Sequence, residues 1–427
     1  MDLSVILAAA ATIFLWGTVS ARLQRADLSA PIVFTVIGAL FAWVGLVDPP
    51  SGPERLKPLV EITLVWVLFS DAARIPLSQF RRSEGLYVRL LAIGLPLTVL
   101  AGWGLAAMLL PGMGIWLALL VGAAVAPTDA ALGTPVVTNP SVPSRIRRLI
   151  TVESGLNDGI ATPVVVLAIA GTAVTAGLEG PSDVGGALVD LAIGLAVGVL
   201  VGLAGGALLR VARRAGWAAE DFTGIAVLAL ALLAYGAALE LHGNGFVAAF
   251  CGGLAFAAAG GRRAPAELVF VEQTSGLVSL LVWLAFGAIA IPILIERITV
   301  AIVVYALLSL TVVRIIPVAL ALLGTGFDRA TVLFVGWFGP RGLASLVFAM
   351  LALEQLGALA DEAVAAIAAT VLLSVIAHGF SAEPAARRYG RTHADSEDES
   401  QHPAPEIPLR GLPGQRVRAG STKPPRA

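Results

Sequence analysis

Long apolar segments recur along almost the whole chain, and they restrict its fold more than any other feature. Thirteen of them approach or exceed the roughly 20 residues that an α-helix needs to cross a bilayer. They lie at 3–21, 29–47, 57–76, 86–110, 113–137, 148–174, 185–211, 221–240, 243–260, 268–294, 298–323, 329–355 and 362–382. Since 57% of the residues are hydrophobic and only 13% are charged, a soluble domain is excluded. The sequence predicts an all-α polytopic membrane protein with about thirteen transmembrane helices.

The positive residues between these segments predict the orientation of the chain. Seventeen of them fall in alternate connections, against three in the others. Positive side chains accumulate on the cytoplasmic side of a membrane. We therefore expect an outside amino terminus and a cytoplasmic carboxyl terminus, in the plasma (inner) membrane of a prokaryote. Residues 1–385 are expected to form the transmembrane domain, and the polar, proline-rich residues 386–427 a disordered cytoplasmic tail.

Carboxylates and other polar side chains interrupt two neighbouring apolar segments. In the fifth segment, Asp129 follows Pro127 and Thr128, and the proline removes a backbone donor, which predicts a broken helix. The sixth segment carries polar residues one helical turn apart, namely Glu153 and Asn157, and Ser154 and Asp158. Charged groups at such depth are costly and mark functional sites. The sequence therefore predicts a polar strip near the middle of the membrane.

A second broken helix is predicted in the twelfth segment, at Phe338-Gly339-Pro340-Arg341-Gly342. In the expected topology the fifth segment runs inwards and the twelfth runs outwards, so the two broken helices are related by inversion. Paired broken helices in opposite halves of a chain indicate a transporter's binding site near the bilayer midplane. Inverted repeats with two discontinuous crossing helices are therefore expected.

The polar groups at this site suit the exchange of protons for monovalent cations. A buried carboxylate can be neutralised by either species, so Asp158 is the expected shared binding group, joined by Asp129. The hydroxyl groups of Thr128 and Ser154 add further oxygen ligands, which suit hard cations such as Na⁺, K⁺ or Li⁺. Asn157 is expected to position Asp158 or to hold the broken helix.

Three further predictions concern the roles of ionisable residues, one in the polar strip and two in other segments. Glu153 needs an opposite charge, and the candidates for a structural ion pair are Arg341 and Arg314. Asp71 is open between a structural role and an accessory role at the site. His378, in the last segment, is interpreted as a packed or capping residue rather than a proton sensor.

Three stretches resemble the signature sequences of monovalent cation:proton antiporters of the NhaP and sodium/proton-exchanger type: residues 127–130 (PTDA), 153–159 (ESGLNDG) and 339–342 (GPRG). The resemblance extends over residues 1–385. It implies a core domain that moves against a dimerisation domain, usually within a homodimer. It also implies that Asp158 binds both ion and proton, and that the pair Asn157-Asp158 is the one typical of electroneutral members.

Two other functions are weighed against exchange. A cation channel could also place carboxylates in the membrane, but it needs no titratable acid between two broken, inverted helices. An intramembrane aspartyl protease would require two facing aspartates, for which Asp129 and Asp158 are the candidates, but nothing in the chain resembles a substrate gate. The sequence therefore predicts neither an enzyme nor a need for a cofactor, and it indicates no nucleic-acid partner.

Overall fold

The computed structural model of the chain describes residues 3–24, 28–47, 53–74, 85–178, 184–259 and 265–393. These residues form only helices and their connections. The helices are α1 (Leu3–Gln24), α2 (Ala30–Trp43), α3 (Pro53–Arg74), α4 (Leu86–Leu109), α5 (Gly114–Ala124), α6 (Thr134–Val137), α7 (Ser144–Ala176), α8 (Val184–Arg214), α9 (Glu220–Glu240), α10 (Gly245–Ala259), α11 (Pro265–Arg297), α12 (Val300–Ala321), α13 (Arg329–Trp337), α14 (Leu343–Leu356) and α15 (Asp361–Thr392).

Every apolar segment of the sequence coincides with one helix or with a broken pair of helices. Eight helical stretches of the described residues are individually long and apolar enough to cross a membrane. Three shorter apolar helices accompany them, α2, α10 and α5 with its preceding turn. The all-helical membrane fold is confirmed, whereas the number of crossings, thirteen, stays a prediction.

Two segments are interrupted where the sequence predicts a break. Helix α5 ends at Ala124, and residues 125–133 form an irregular stretch, called here the first break. Helix α13 ends at Trp337, and residues 338–342 form the second break before α14 begins at Leu343. Proline and glycine cause both interruptions, because proline cannot continue the hydrogen-bond ladder of a helix.

Small residues let several helices approach one another closely. Gly198 of α8 lies against the backbone of α10, where an added Cβ atom would overlap the carbonyl oxygen of Ala248. Gly159 of α7 lies against the ring of Phe250 in α10 with no room for a side chain. Such close contacts replace the hydrophobic driving force that is absent between helices in lipid. The contact of Gly159 fixes α7, which carries the polar strip, against α10.

The last helix, α15, extends beyond the end that the sequence assigned to the transmembrane domain. It continues to Thr392, so residues 386–392, which the sequence placed in the tail, are helical. Ala382, Ala386 and Tyr389 form one buried face of its final turns, and the hydroxyl group of Tyr389 lies 2.7 Å from that of Thr331 in α13. Residues 394–427 of the tail lie outside the described residues.

Candidate functional site

The two breaks cross each other, and Asp129 joins them. The backbone N–H of Asp129 donates to the carbonyl oxygen of Pro340 over 2.7 Å. Its carboxylate accepts from the backbone N–H of Ala131 at 2.9 Å and from that of Leu343 at 3.1 Å. Because Leu343 opens α14, Asp129 places a negative charge at the positive end of that helix. The carboxylate thus caps one broken helix from within the other break.

Gly342 is required for this crossing. It stands at the N-cap position of α14 but has no side chain with which to cap the helix. An added Cβ atom would overlap the carboxylate of Asp129. The glycine therefore lets the backbone of the second break approach Asp129, which supplies the missing cap.

Arg341 of the second break binds the backbone of the first break. Its side chain is fully buried, and its Nη1 donates to the carbonyl oxygens of Ala126 at 2.7 Å and Pro127 at 3.1 Å. These carbonyls have lost their helical partners because the chain unwinds at Pro127. A positive group beside the carbonyl end of α5 also complements the dipole of that helix. Arg341 is thereby bound to backbone oxygens of the first break.

The polar strip of α7 contacts the first break through Thr128. The hydroxyl group of Thr128 lies 2.8 Å from that of Ser154 and accepts from Nδ2 of Asn157 at 2.7 Å. All three side chains are buried. Buried polar groups of this kind are costly unless they are paired, so the contacts fix the unwound chain against α7.

Asp158 lies one helical turn beyond Ser154 on the same helix and is also buried. Helix α7 runs from residue 144 to residue 176, so Asp158 stands two positions before its midpoint, residue 160. The structure thus brings Thr128, Asp129, Ser154 and Asn157 together around the crossing, with Asp158 on the adjacent turn.

Glu153 makes a bidentate ion pair with Arg314 of α12. Nη1 of Arg314 lies 2.6 Å from Oε1 of Glu153, and Nη2 lies 2.9 Å from Oε2. Both side chains are about 1% exposed. Of the two partners left open by the sequence, the structure selects Arg314, whereas Arg341 binds the backbone of the first break. Asp71 lies on α3, where its carboxylate is 3.8 Å from Nη1 of Arg74.

A cavity of about 750 Å³ leads to this region from one end of the molecule. It reaches from the exposed ion pair of Glu383 and Arg387 on α15 to Asp129. Polar side chains of α6 and the following turn, Thr134, Thr138 and Asn139, line its wall. This is the end that the arginine distribution predicts to be cytoplasmic. Of the carboxylates predicted for the site, Asp129 lines this cavity.

Two residues that sequence reasoning left out of the site lie at the second break. Ser374 accepts from the backbone N–H of Arg341 at 2.7 Å. His378, one turn further along α15, contacts the carbonyl oxygen of Trp337 at the end of α13. Their i, i+4 spacing in an apolar helix was the available signal, since it places both polar groups on one face. His378 is a capping residue, as the sequence indicated, and it caps the second break.

Comparison with known proteins identifies the family. The family model described as sodium/hydrogen exchanger, transmembrane, matches residues 8–388. The chain belongs to the sodium/hydrogen exchanger family. Among solved structures, the sodium proton antiporter MjNhaP1 from Methanocaldococcus jannaschii has the same fold, with a TM-score of 0.71 at 21% identity, over 91% of this chain and 100% of that one.

Two curated relatives of this chain are named as K(+)/H(+) antiporters. The K(+)/H(+) antiporter NhaP of Alkalimonas amylolytica is 26% identical over 381 residues, which cover 87% of this chain and 64% of the relative. The K(+)/H(+) antiporter NhaP2 of Shewanella sp. (strain ANA-3) is 26% identical over 325 residues, which cover 73% and 55%. The chain therefore spans less than two thirds of the length of these relatives.

Proposed function

We propose that this chain exchanges a monovalent cation for protons across the membrane, with Asp158 as the carboxylate that binds both. The observation that carries the proposal is the position of Asp158, buried near the middle of α7 and one turn from Ser154, whose hydroxyl contacts Thr128 in the first break. A buried acid beside unwound backbone offers a proton acceptor and a set of cation ligands in one place.

The charge balance of the region supports one-for-one exchange. Among the described residues, the carboxylates and guanidinium groups at the crossing and on the polar strip are Asp129, Glu153 and Asp158, against Arg314 and Arg341. With all five charged, three negative charges oppose two positive charges, which leaves one negative charge. Either one proton or one monovalent cation cancels it. Each half-cycle then carries the same net charge, so transport is electroneutral.

The ligands available to a cation are oxygens. Carboxylates of Asp158 and Asp129 and hydroxyls of Ser154 and Thr128 form the proposed set, which suits a hard cation. Asn157 contributes as a positioning residue, since its Nδ2 holds Thr128. Its Oδ1 is buried and has no hydrogen-bond partner among the described residues, which leaves one more oxygen for the ion or its water. The names of the relatives point to K⁺ and Na⁺ as the cations to test first.

The proposed transport cycle is alternating access. The two breaks form one crossed unit through Asp129 and Arg341, so they are expected to move together with α7. The cavity that reaches Asp129 corresponds to the inward-facing state if the arginine-rich end is cytoplasmic. We expect a homodimer in a prokaryotic plasma membrane, with the amino terminus outside.

The test is cation-driven proton movement in proteoliposomes, with Na⁺, K⁺ and Li⁺ compared. Asp158→Asn keeps the shape of the side chain and removes its charge, so it should abolish exchange while the protein remains folded. Asp361→Asn, the same substitution in the exposed pair with Arg297, is the matched control and should retain exchange. Substantial exchange by Asp158→Asn would remove Asp158 from the mechanism, and failure of the wild-type chain with all three cations would refute the function itself.

A further inference from the structure

The end of α15 lies between the starts of α7 and α13. On one side, an added Cβ atom at Gly390 would overlap Ser141, three positions before α7 begins. On the other side, Nε2 of His393 lies 3.3 Å from Oδ2 of Asp328, the N-cap residue of α13. His393 is the last described residue of the chain. The point from which the tail continues is therefore fixed between these two helix starts.

Arginines cluster at the same two helix starts. The first five residues of α7 include Arg145, Arg147 and Arg148. The guanidinium group of Arg145 lies over the ring of Phe327, in the α12–α13 connection, with Cζ 5.0 Å from the ring centroid. Arg329 opens α13 and is exposed. The side chains of Arg145, Arg147, Arg148 and Arg329 are called here the arginine surface.

The arginine surface carries an excess of positive charge. The described carboxylate beside it is that of Asp328, and it is already engaged. Its Oδ1 accepts from the backbone N–H of Thr331, and its Oδ2 contacts His393. The start of α7 adds the positive end of a helix dipole, and its first turn contains no acidic residue. Four guanidinium groups against one carboxylate leave a surface that favours an anionic partner.

The beginning of the tail carries the opposite charge. Residues 395–399, called here the acidic segment, read DSEDE and contain four carboxylates within five positions. The segment lies outside the described residues and starts two positions after His393. Six residues of extended chain span at most about 20 Å. Because Asp328, which contacts His393, is the sequence neighbour of both Phe327 and Arg329, the arginine surface lies within that reach.

The acidic segment is the part of the tail that matches this surface. Its four carboxylates equal the four guanidinium groups in number, and arginine binds carboxylates through paired, charge-assisted hydrogen bonds. Residues 400–427 carry five lysines and arginines against a single acidic residue, Glu406, so their charge has the wrong sign. Attachment to α15 through two residues also gives the segment an effective concentration of the order of millimolar. A free anion has no such advantage.

We propose that the acidic segment, residues 395–399, binds the arginine surface at the starts of α7 and α13. The bound segment covers positive charge beside the mouth of the cavity, because Asn139 and Pro140, which line the cavity, directly precede Ser141. Less positive charge at the mouth raises the local concentration of cations. This effect on exchange rests on the proposed function, whereas the binding does not.

The binding is tested in the full chain by the distance between two spin labels. The labels are attached at Ala330→Cys, exposed in the first turn of α13, and at Ser400→Cys, directly after the acidic segment, in a chain with Cys251→Ser. Neither labelled position is charged. In phosphatidylcholine vesicles at about 0.02 M salt, with unlabelled chain in excess, the distance distribution should be narrow. At about 1 M salt it should broaden, because the screening length falls to about 3 Å.

Variants that remove charge locate both sides of the contact. Replacement of all four carboxylates of the acidic segment by their amides should broaden the distribution at low salt. Arg329→Gln and Arg145→Gln should do the same, and exposed Arg329 decides the outcome if Arg145→Gln does not fold. Glu406→Gln, outside the acidic segment, and Arg214→Gln, exposed in the last turn of α8, are the matched controls. Both controls should keep the narrow distribution.

Exchange gives a second readout that is independent of the labels. Cation-driven proton movement is measured in proteoliposomes at two ionic strengths set with choline chloride. The variant with four amides should raise the apparent KM for the cation about 3-fold at 0.02 M and leave it unchanged at about 1 M. Glu406→Gln should match the wild type at both ionic strengths.

Several results would overturn the binding. These are a broad wild-type distribution at low salt, or a narrow one that Arg329→Gln leaves unchanged. Broadening in phosphatidylglycerol vesicles would assign the arginine surface to lipid headgroups instead. Broadening by Arg391→Gln but not by Arg329→Gln would show that the segment folds back on α15. An unchanged KM overturns the effect on exchange. If the wild-type chain shows no exchange at all, the proposed function fails, but the label distances still test the binding.

Discussion

The ion pair of Glu153 and Arg314 offers the sharpest test of how the site is held together. The two side chains make two charge-assisted hydrogen bonds, at 2.6 and 2.9 Å, and both are about 1% exposed. Glu153→Leu leaves the guanidinium group of Arg314 buried without a counter-charge. Removing one member of such a pair costs about 3–5 kcal/mol. Arg314→Met should cost a similar amount, because it leaves the carboxylate of Glu153 alone.

The double variant Glu153→Leu with Arg314→Met removes both charges and fills the space with apolar groups. Such replacements are often close to neutral for stability. Unfolding of the detergent-solubilised protein, followed by tryptophan fluorescence, gives the stability of wild type, each single variant and the double variant. We expect the destabilisation of the double variant to be smaller than the sum of the two single effects, by a coupling energy of at least about 2 kcal/mol. The double variant should recover most of the lost stability.

Two control cycles make the result specific. Arg297 and Asp361 form an exposed pair at 3.2 Å, with the arginine 54% exposed, and their coupling should stay below about 1 kcal/mol. A cycle between Arg341 and Glu153 should show a smaller coupling than the Arg314 cycle, because Arg341 binds backbone carbonyls instead. Additive effects of Arg314 and Glu153 would refute the reasoning, and a larger coupling with Arg341 would show that the pairing is wrong.

Three further predictions follow from the same geometry. Clamping the membrane potential of proteoliposomes should leave the exchange rate unchanged; a rate that follows the potential would contradict one-for-one exchange. Gly342→Ala should destabilise the protein by about 1–3 kcal/mol and reduce exchange, because the new Cβ atom overlaps Asp129, whereas Gly236→Ala, in open space, should be neutral or slightly stabilising. Hydrogen bonds from Thr331 hold the pKa of the Asp328 carboxyl below its usual range. The ionised carboxylate therefore stabilises α13 fully above the pKa that Asp328 has in the unfolded chain. This stabilisation is lost as the pH falls through the lowered pKa of the folded protein. Asparagine at position 328 can still cap the helix but does not titrate, so Asp328→Asn should remove this part of the fall in unfolding temperature at acid pH. An unchanged pH dependence of the unfolding temperature would contradict this role of Asp328.

Features that depend on local chain chemistry could be predicted from the sequence. The apolar segments determine the membrane helices, because backbone groups in lipid must be hydrogen-bonded within the segment. Pro127 and the Gly339-Pro340 pair determine where two helices break, because each break is a local property of the residues present. The one-turn spacing of Ser154 and Asp158 placed them on one face of α7 before any packing was known.

Partners distant in the chain were decided only by the tertiary structure. Glu153 and Arg314 are 161 positions apart, and the sequence left both Arg341 and Arg314 as candidates, since charge alone does not specify geometry. Asp129 was predicted as an ion ligand. Its hydrogen bond with the backbone N–H of Leu343 makes it the cap of α14, and nothing in the sequence near either residue indicates this contact. His378 likewise acquires its role from the carbonyl group of Trp337, 41 positions away. A hydrogen bond needs its donor and acceptor within about 3 Å, and only the packing of the helices brings such groups together.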